Sequence, residues 1–475
     1  MDFRWESDSI GELQVPAEAY YGVQSLRAKE NFHITGKPIH PEMIVSLAKV
    51  KKAAAICNME AGFLEEDKCE AICQAADELI QGRWHEQFIC DAIQGGAGTS
   101  ANMNINEVLA NRAGELLGDS LGSYSKVHPN DDVNMAQSTN DVYPTAGKIT
   151  IIVLLQRCIA QLQGLYEALM GKSVEFHDII KVGRTQLQDA VPMRLGQSFH
   201  AYARAVSRDI RRLKMVADDM AQINLGGTAI GTGINASPYY IAHIASVLSG
   251  VCGFRLDSAE DLIDATQNLD GFVLVSGIVK TCAINLSKIA NDLRLLSSGP
   301  RTGVAEINLP PRQNGSSIMP GKVNPVIPEV VNQVAFNVMG NDVCIQAAAE
   351  AGQLELNAFE PVLFYRLFES IETLGNAAET FTINCVSGIT ANREHLSGHL
   401  SNSLAVVTAL CPYIGYAKAA SLAKESLSQG VPIRELILRD GLLDEEALQQ
   451  ILDPELLTAP HAFRVLPKHT QRYKN

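Results

Sequence analysis

Residues 272–296 read FVLVSGIVKTCAINLSKIANDLRLL, with Phe272, Val275, Val279, Cys282, Leu286 and Ile289 at three- and four-residue spacing. That period lines one face of an α-helix. The run stops at SSGP, where Gly299 and Pro300 end helical propagation. Four further segments carry the same pattern, at about 143–177, 195–222, 326–350 and 358–380. All five are far longer than an average helix of about 11–12 residues. Strand signals are few, so the sequence predicts a mostly α fold built on a long-helix bundle. The helices are also apolar on more than one face, as ITIIVLL at 149–155 shows by covering nearly two turns. Such helices need burial on several sides. An oligomer that pools helices supplies it, and a thick monomeric core is the other way.

Bulk properties narrow the function classes. The 475 residues carry a net charge of −14 with no lysine- or arginine-rich run. Nucleic acid and anionic membrane are therefore not expected as partners, and an anionic substrate must be attracted locally. Ten cysteines lie scattered from Cys57 to Cys411, with no CxxC and no HExxH. They read as reduced thiols of a cytoplasmic protein. No cluster has metal-ligand spacing, so no metal is expected. The opening MDFRWESDSIGELQVP is polar and mixed in charge, unlike a signal peptide. The longest apolar runs fall well short of a bilayer span.

Four polar, small-residue segments interrupt the helices: GGAGTSANMN (95–104), NMAQSTND (134–141), GRTQLQDAVP (183–192) and GSSIMPGKVNP (315–325). Ser, Thr and Asn are common in caps and turns, and that reading suits STND and GRTQ taken singly. The fourth segment asks for more. Pro320 and Gly321 disrupt helix, while Lys322 and Asn324 are polar in an apolar neighbourhood. Neutral donors, glycine-exposed backbone amides and one lysine together suit an anionic ligand.

In this order the segments resemble the shared blocks of the aspartase/fumarase superfamily, with GSSIMPGKVNP similar to its signature loop. YYGVQSLRAKENFHITG (20–36), QSTND and NPVIPEVVNQVAFNVMGND (324–342) resemble its ammonia-lyase branch. The resemblance implies a three-domain subunit, here 1–138, 139–393 and 394–475, and a homotetramer whose central domains form a twenty-helix core. Each active site would draw on three chains. The implied reaction is deamination of L-aspartate to fumarate and ammonium; the alternative is hydration of fumarate to L-malate. Ser316 matches the family's catalytic base. Lys322, Asn324 and Thr185 would hold the α-carboxylate. Thr99, Ser138, Thr139 and Ser317 would hold the β-carboxylate, where an aci-carboxylate dianion develops. Asn140 and Gln186 match positions that contact the leaving amino group. Many family members have histidine where this chain has Gln186, and in fumarases that histidine pairs with the glutamate matched by Glu329. An amide has no proton equilibrium near neutrality, which favours deamination over hydration. No cofactor is required for this chemistry; Mg2+ activates some relatives, and nothing in the sequence shows a site for it. His128, in VHPNDD, resembles a residue near a second anion site of fumarases, but a histidine before proline is more often a loop or capping residue.

Overall fold

The computed structural model describes residues 2–459. Its five long helices are Thr139–Glu175, Leu195–Asp219, Asp270–Leu296, Val326–Glu350 and Glu360–Asn384. They match the five segments expected from periodicity to within a few residues at each end. The expected stripe of the Asp270–Leu296 helix is buried throughout, from Phe272, Val275 and Val279 to Cys282, Leu286 and Ile289. Burying such side chains contributes about 1.5–3 kcal/mol each. Strand content among the described residues is limited to two-stranded ribbons.

Two of the helices qualify, by length and composition, as able to cross a membrane: Thr139–Glu175 and Asp270–Leu296. The apolar run alone did not predict this. Small polar residues between the apolar ones, such as Ser276, Thr281 and Ser287, raise the length of the apolar stretch without adding charge. Half of each such stretch is already buried inside the protein.

The chain divides into two compact units, and each long helix contains one division point. The first unit comprises residues 2–161, 209–284 and 333–377. In it Phe364 packs edge-on against Phe272 and lies 5.5 Å from Tyr143, centroid to centroid. Gly147 makes room for that ring, since a Cβ there would come within 2.2 Å of the Phe364 ring. The second unit comprises residues 162–208, 285–332 and 378–459. It contains the antiparallel hairpin Ile180–Thr185 and Gln188–Arg194. A small C-terminal core forms there around Leu410, Leu422, Leu436, Ile437 and Leu448. All ten cysteines are free.

Candidate active site

In the first unit the predicted residues Ser138, Thr139 and Asn140 form the turn that starts the Thr139–Glu175 helix. Thr139 is buried, while Ser138 and Asn140 are half-buried. The turn is fastened from beneath by Asp141, which is wholly buried. Asp141 Oδ1 accepts from the Ser138 amide at 2.9 Å. Its Oδ2 accepts from the amides of Gly226 at 3.1 Å and Thr228 at 2.9 Å. Burial pushes the Asp141 carboxyl up to about 6, against the pull of those three amides and of Lys51. Pro144 fixes the turn a second way. It has no N–H to offer the carbonyl four residues earlier, and that carbonyl belongs to Asn140. The buried Asn224 supplies the missing donor, its Nδ2 lying 3.0 Å from Asn140 O. Asn140 Nδ2 in turn donates to Ala229 O at 2.7 Å.

Lys51 lies behind this turn with no exposure to solvent. Its Nζ donates to Asn134 Oδ1 at 2.8 Å and Gln137 Oε1 at 2.9 Å. Asn102 and Asn106 also donate to the Asn134 oxygen. Desolvation pulls the Lys51 ammonium down to about 7, partly offset by the Asp141 charge. Thr99, exposed, opens the Thr99–Leu116 helix, and its Oγ1 donates to Gly96 O at 2.6 Å. The preceding Gly98 has φ 90° and packs on Tyr143, where a Cβ would sit 2.5 Å from the ring. That close approach ties the start of the Thr99 helix to the helix that carries Asn140.

In the second unit Thr185 ends the first strand of the hairpin and Gln186 begins its two-residue turn. Gln186 and Leu187 have φ 54° and 62°. Such turns need positive φ at both positions and favour Asn-Gly. Holding Gln and Leu there costs about 1–3 kcal/mol each, a strain that is found most often at functional sites. Thr185 and Gln186 are both exposed.

Ser316, Ser317, Lys322 and Asn324 share one loop. Ser316 Oγ accepts from two backbone amides, Met319 at 2.9 Å and Ile318 at 3.2 Å. The loop is closed at its neck, where the Gly315 amide donates to Lys322 O at 2.8 Å and Asn324 Nδ2 to Gly315 O at 2.6 Å. A Cβ on Gly315 would lie 2.5 Å from Lys322 O and 2.8 Å from Asn324 N, so the neck admits only glycine. Ser317 and Lys322 are exposed, and Glu329 is half-buried in the first turn of the following helix.

The Lyase family model matches residues 11–340, and the Fumarase C C-terminus model matches residues 406–459. A Bacillus aspartate ammonia-lyase is 54% identical over 459 residues, covering 97% of this chain and 98% of the relative. The Pseudomonas aeruginosa aspartate ammonia-lyase is 53% identical over 467 residues, with 98% of each chain covered. The chain belongs to the aspartase/fumarase lyase family. Solved structures agree. Fumarate lyase:delta crystallin from Brucella melitensis, bound to cobalt, is 49% identical and superposes at TM-score 0.94, covering 97% of this chain and all of that one. A class II fumarase from Schistosoma mansoni is 34% identical with TM-score 0.93 over the same shares.

For this member of the family, His128 is a capping residue in the structure. Its Nδ1 accepts from the amides of Asn130 at 3.3 Å and Asp131 at 3.2 Å. Among the described residues no group of three or more His, Cys, Asp or Glu side chains is arranged to hold a metal ion. Sequence reasoning missed Asp141, Lys51 and Asn224. Pro144 could have pointed to Asn224, because a proline inside a helix leaves one carbonyl in need of a donor.

Proposed function

We infer that this lyase is an aspartate ammonia-lyase, converting L-aspartate to fumarate and ammonium. Relatives of that name are 51–54% identical over nearly the whole chain, whereas the class II fumarase is 34% identical. The observation that carries the mechanism is the pair of amides directed at Ser316 Oγ. Two fixed N–H donors stabilise negative charge on an oxygen, as in an oxyanion hole. A serine so placed is fitted to act as an alkoxide base, which a free hydroxyl is not. Ser316 Oγ takes the proton from the substrate's β-carbon. The C–H electron pair passes into the β-carboxylate, giving the aci-carboxylate dianion. Thr99, Ser138, Thr139 and Ser317 hold that group with neutral donors. Lys322, Asn324 and Thr185 hold the α-carboxylate. The pair then returns as the C=C bond while the C–N bond breaks, and the amine leaves with its bonding electrons beside Asn140 and Gln186. These groups meet the charge demand without a cofactor, so activity is expected to survive chelation; Mg2+ would then act only as an activator.

Gln186 separates deamination from hydration. Hydration of fumarate needs a group that takes a proton from water, and the neutral amide of Gln186 cannot. The test supplies fumarate to the purified protein in ammonium-free buffer and follows its ultraviolet absorbance. Aspartate should form only when ammonium is added. Malate formed as fast as aspartate would overturn the reading in favour of a fumarase.

The working unit is proposed to be a cytoplasmic homotetramer, with a central domain of residues 139–393 between 1–138 and 394–475. The first limit falls at the start of the Thr139–Glu175 helix and the second lies one residue inside the Arg393–Asn402 helix. Tetramer formation is supported by large apolar side chains left exposed on bundle helices, among them Phe336 and Val343 at 60% and 66%. Free cysteines throughout fit a reducing compartment. Sharing of sites between subunits is testable by refolding Ser138→Ala and Ser316→Ala together. Hybrids should regain some sites with no damaged segment; hybrids that form yet stay dead would refute it.

A further inference from the structure

The strained Thr185–Gln186 turn is braced by a charge cluster outside the substrate-contacting set. Arg184 immediately precedes Thr185, and its guanidinium Nη1 lies 2.5 Å from Glu306 Oε1. Lys181, on the same strand, places Nζ 2.6 Å from Glu306 Oε2. The Glu306 side chain is completely buried, and those of Lys181 and Arg184 are 6% and 20% exposed. His399, in the Arg393–Asn402 helix, puts Nδ1 3.7 Å from Glu306 Oε1. Glu306 is itself fixed at both backbone polar atoms. Its amide donates to Leu296 O at 2.8 Å, and its carbonyl accepts from the Asn392 amide at 2.9 Å. It also begins the stretch that leads, ten residues on, to Ser316. All of these groups belong to the second compact unit.

A buried carboxylate facing two cations on one strand fixes both the height and the direction of that strand. Charged, two-point contacts of this kind are short and directional. Gly183 bulges the strand just before Arg184, where a Cβ would collide with Val191 O at 2.8 Å. The bulge leaves Gly183 unpaired, and Arg184 rejoins the ladder opposite Asp189 with its guanidinium held by Glu306. We propose that Glu306 is a positioning residue: through Arg184 and Lys181 it sets the Thr185–Gln186 turn in the geometry that receives the substrate's α-carboxylate and amino group. This rests on the aspartate ammonia-lyase reading above.

The test is a double-mutant cycle on the tetramer, with kcat, KM for L-aspartate and the inhibition constant of succinate, a dicarboxylate that cannot react. A misplacement of about 1 Å costs up to about 10²-fold. Glu306→Gln keeps the shape and removes the charge, so kcat/KM should fall about 10- to 10²-fold with succinate binding weakened in parallel. Thr185→Ala should weaken the parent protein but cost only about twofold or less in the Glu306→Gln background, because the turn is then already misplaced. If Glu306→Gln yields no folded tetramer, Arg184→Lys takes its place, keeping the charge and losing the guanidinium fork. Equal costs of Thr185→Ala in both backgrounds, or unchanged succinate binding in the brace variant, would overturn the positioning role. A Thr185→Ala variant as active as the parent would instead remove the assignment of Thr185 to the carboxylate, and this inference with it.

Discussion

The Ser138–Asn140 turn and the Ser316 loop are assigned to the same reaction, yet they are held in opposite ways. The turn is anchored by residues distant in sequence. Asp141 joins it to Gly226 and Thr228, and Asn224 caps the Asn140 carbonyl. The Ser316 loop is anchored by itself. Among the described residues, the hydrogen bonds of 315–324 stay within 315–326. Its Ile318 is 84% exposed. The tether nearest its start is Arg312, whose guanidinium donates to the carbonyls of Ile383 and Asn384. The difference assigns different work. Groups that hold a developing charge serve best when already in place. A loop bonded only within itself can move as one piece over substrate without breaking outside contacts, which suits the element carrying the base.

This contrast breaks first, and most heavily, at Ser316. Ser316→Ala should lower kcat by about 10²–10⁴-fold with melting temperature and oligomeric size unchanged. Turnover near that of the parent would remove Ser316 as base; a collapse in stability would mean the loop is not independent. Asp141→Asn should do the reverse. One carboxylate oxygen becomes an NH2 facing backbone N–H groups, and a buried polar group left unpaired costs about 1–3 kcal/mol. Thermal unfolding should register that loss, and KM for aspartate should rise as Ser138–Asn140 shift. An unaltered melting temperature would show the turn is not clamped. Lys322→Ala sits lower on the scale. Lys322 is exposed and the only cation of its loop, so its loss should raise KM about tenfold. Lys322→Arg should do less harm, and titration with fumarate checks both.

Much of this contrast was legible in the sequence on one side only. The Ser316 loop declared itself because its chemistry is local: Gly315 is required by contacts only seven and nine residues away, at Lys322 and Asn324. The five long helices were legible for the same reason, since helical period is a short-range signal. The clamp under Ser138–Asn140 was not. STND reads as a plain helix start, and Asp141 becomes a buried anchor only because Gly226 and Thr228 arrive some 85 residues later. Lys51 looks like one of several lysines in an apolar helix, and its burial depends on Asn134 and Gln137. Glu306 and Arg184 are likewise 122 residues apart. Periodicity reports what an element buries, but not which distant polar group it meets.

The smallest predicted effect is also the most specific to the clamp, and it is read as a change with pH. Lys51 is pulled from the ordinary 10.5 down to about 7 by desolvation. Between those values the folded protein binds fewer protons at this site than the unfolded chain does. Stability must then rise with pH across that window, by at most about 1.4 kcal/mol per pH unit from this one group. Asp141 acts in the opposite sense and at lower pH. Burial raises it from 3.8 to about 6, so the folded state holds more protons there and stability falls as pH climbs through that range. Their joint contribution is lowest between about 6 and 7. Lys51→Met removes the lysine's part and keeps much of its length. It also takes the lysine donor from Gln137 Oε1 and one of three donors from Asn134 Oδ1, a penalty that does not vary with pH. The quantity to follow is therefore the difference in melting temperature between parent and variant at fixed protein concentration, from pH 7 to pH 9. The parent should gain on Lys51→Met as pH rises. A difference that stays flat would mean Lys51 keeps its proton on folding, and the turn would then rest on an ion pair with Asp141 rather than on a desolvated amine.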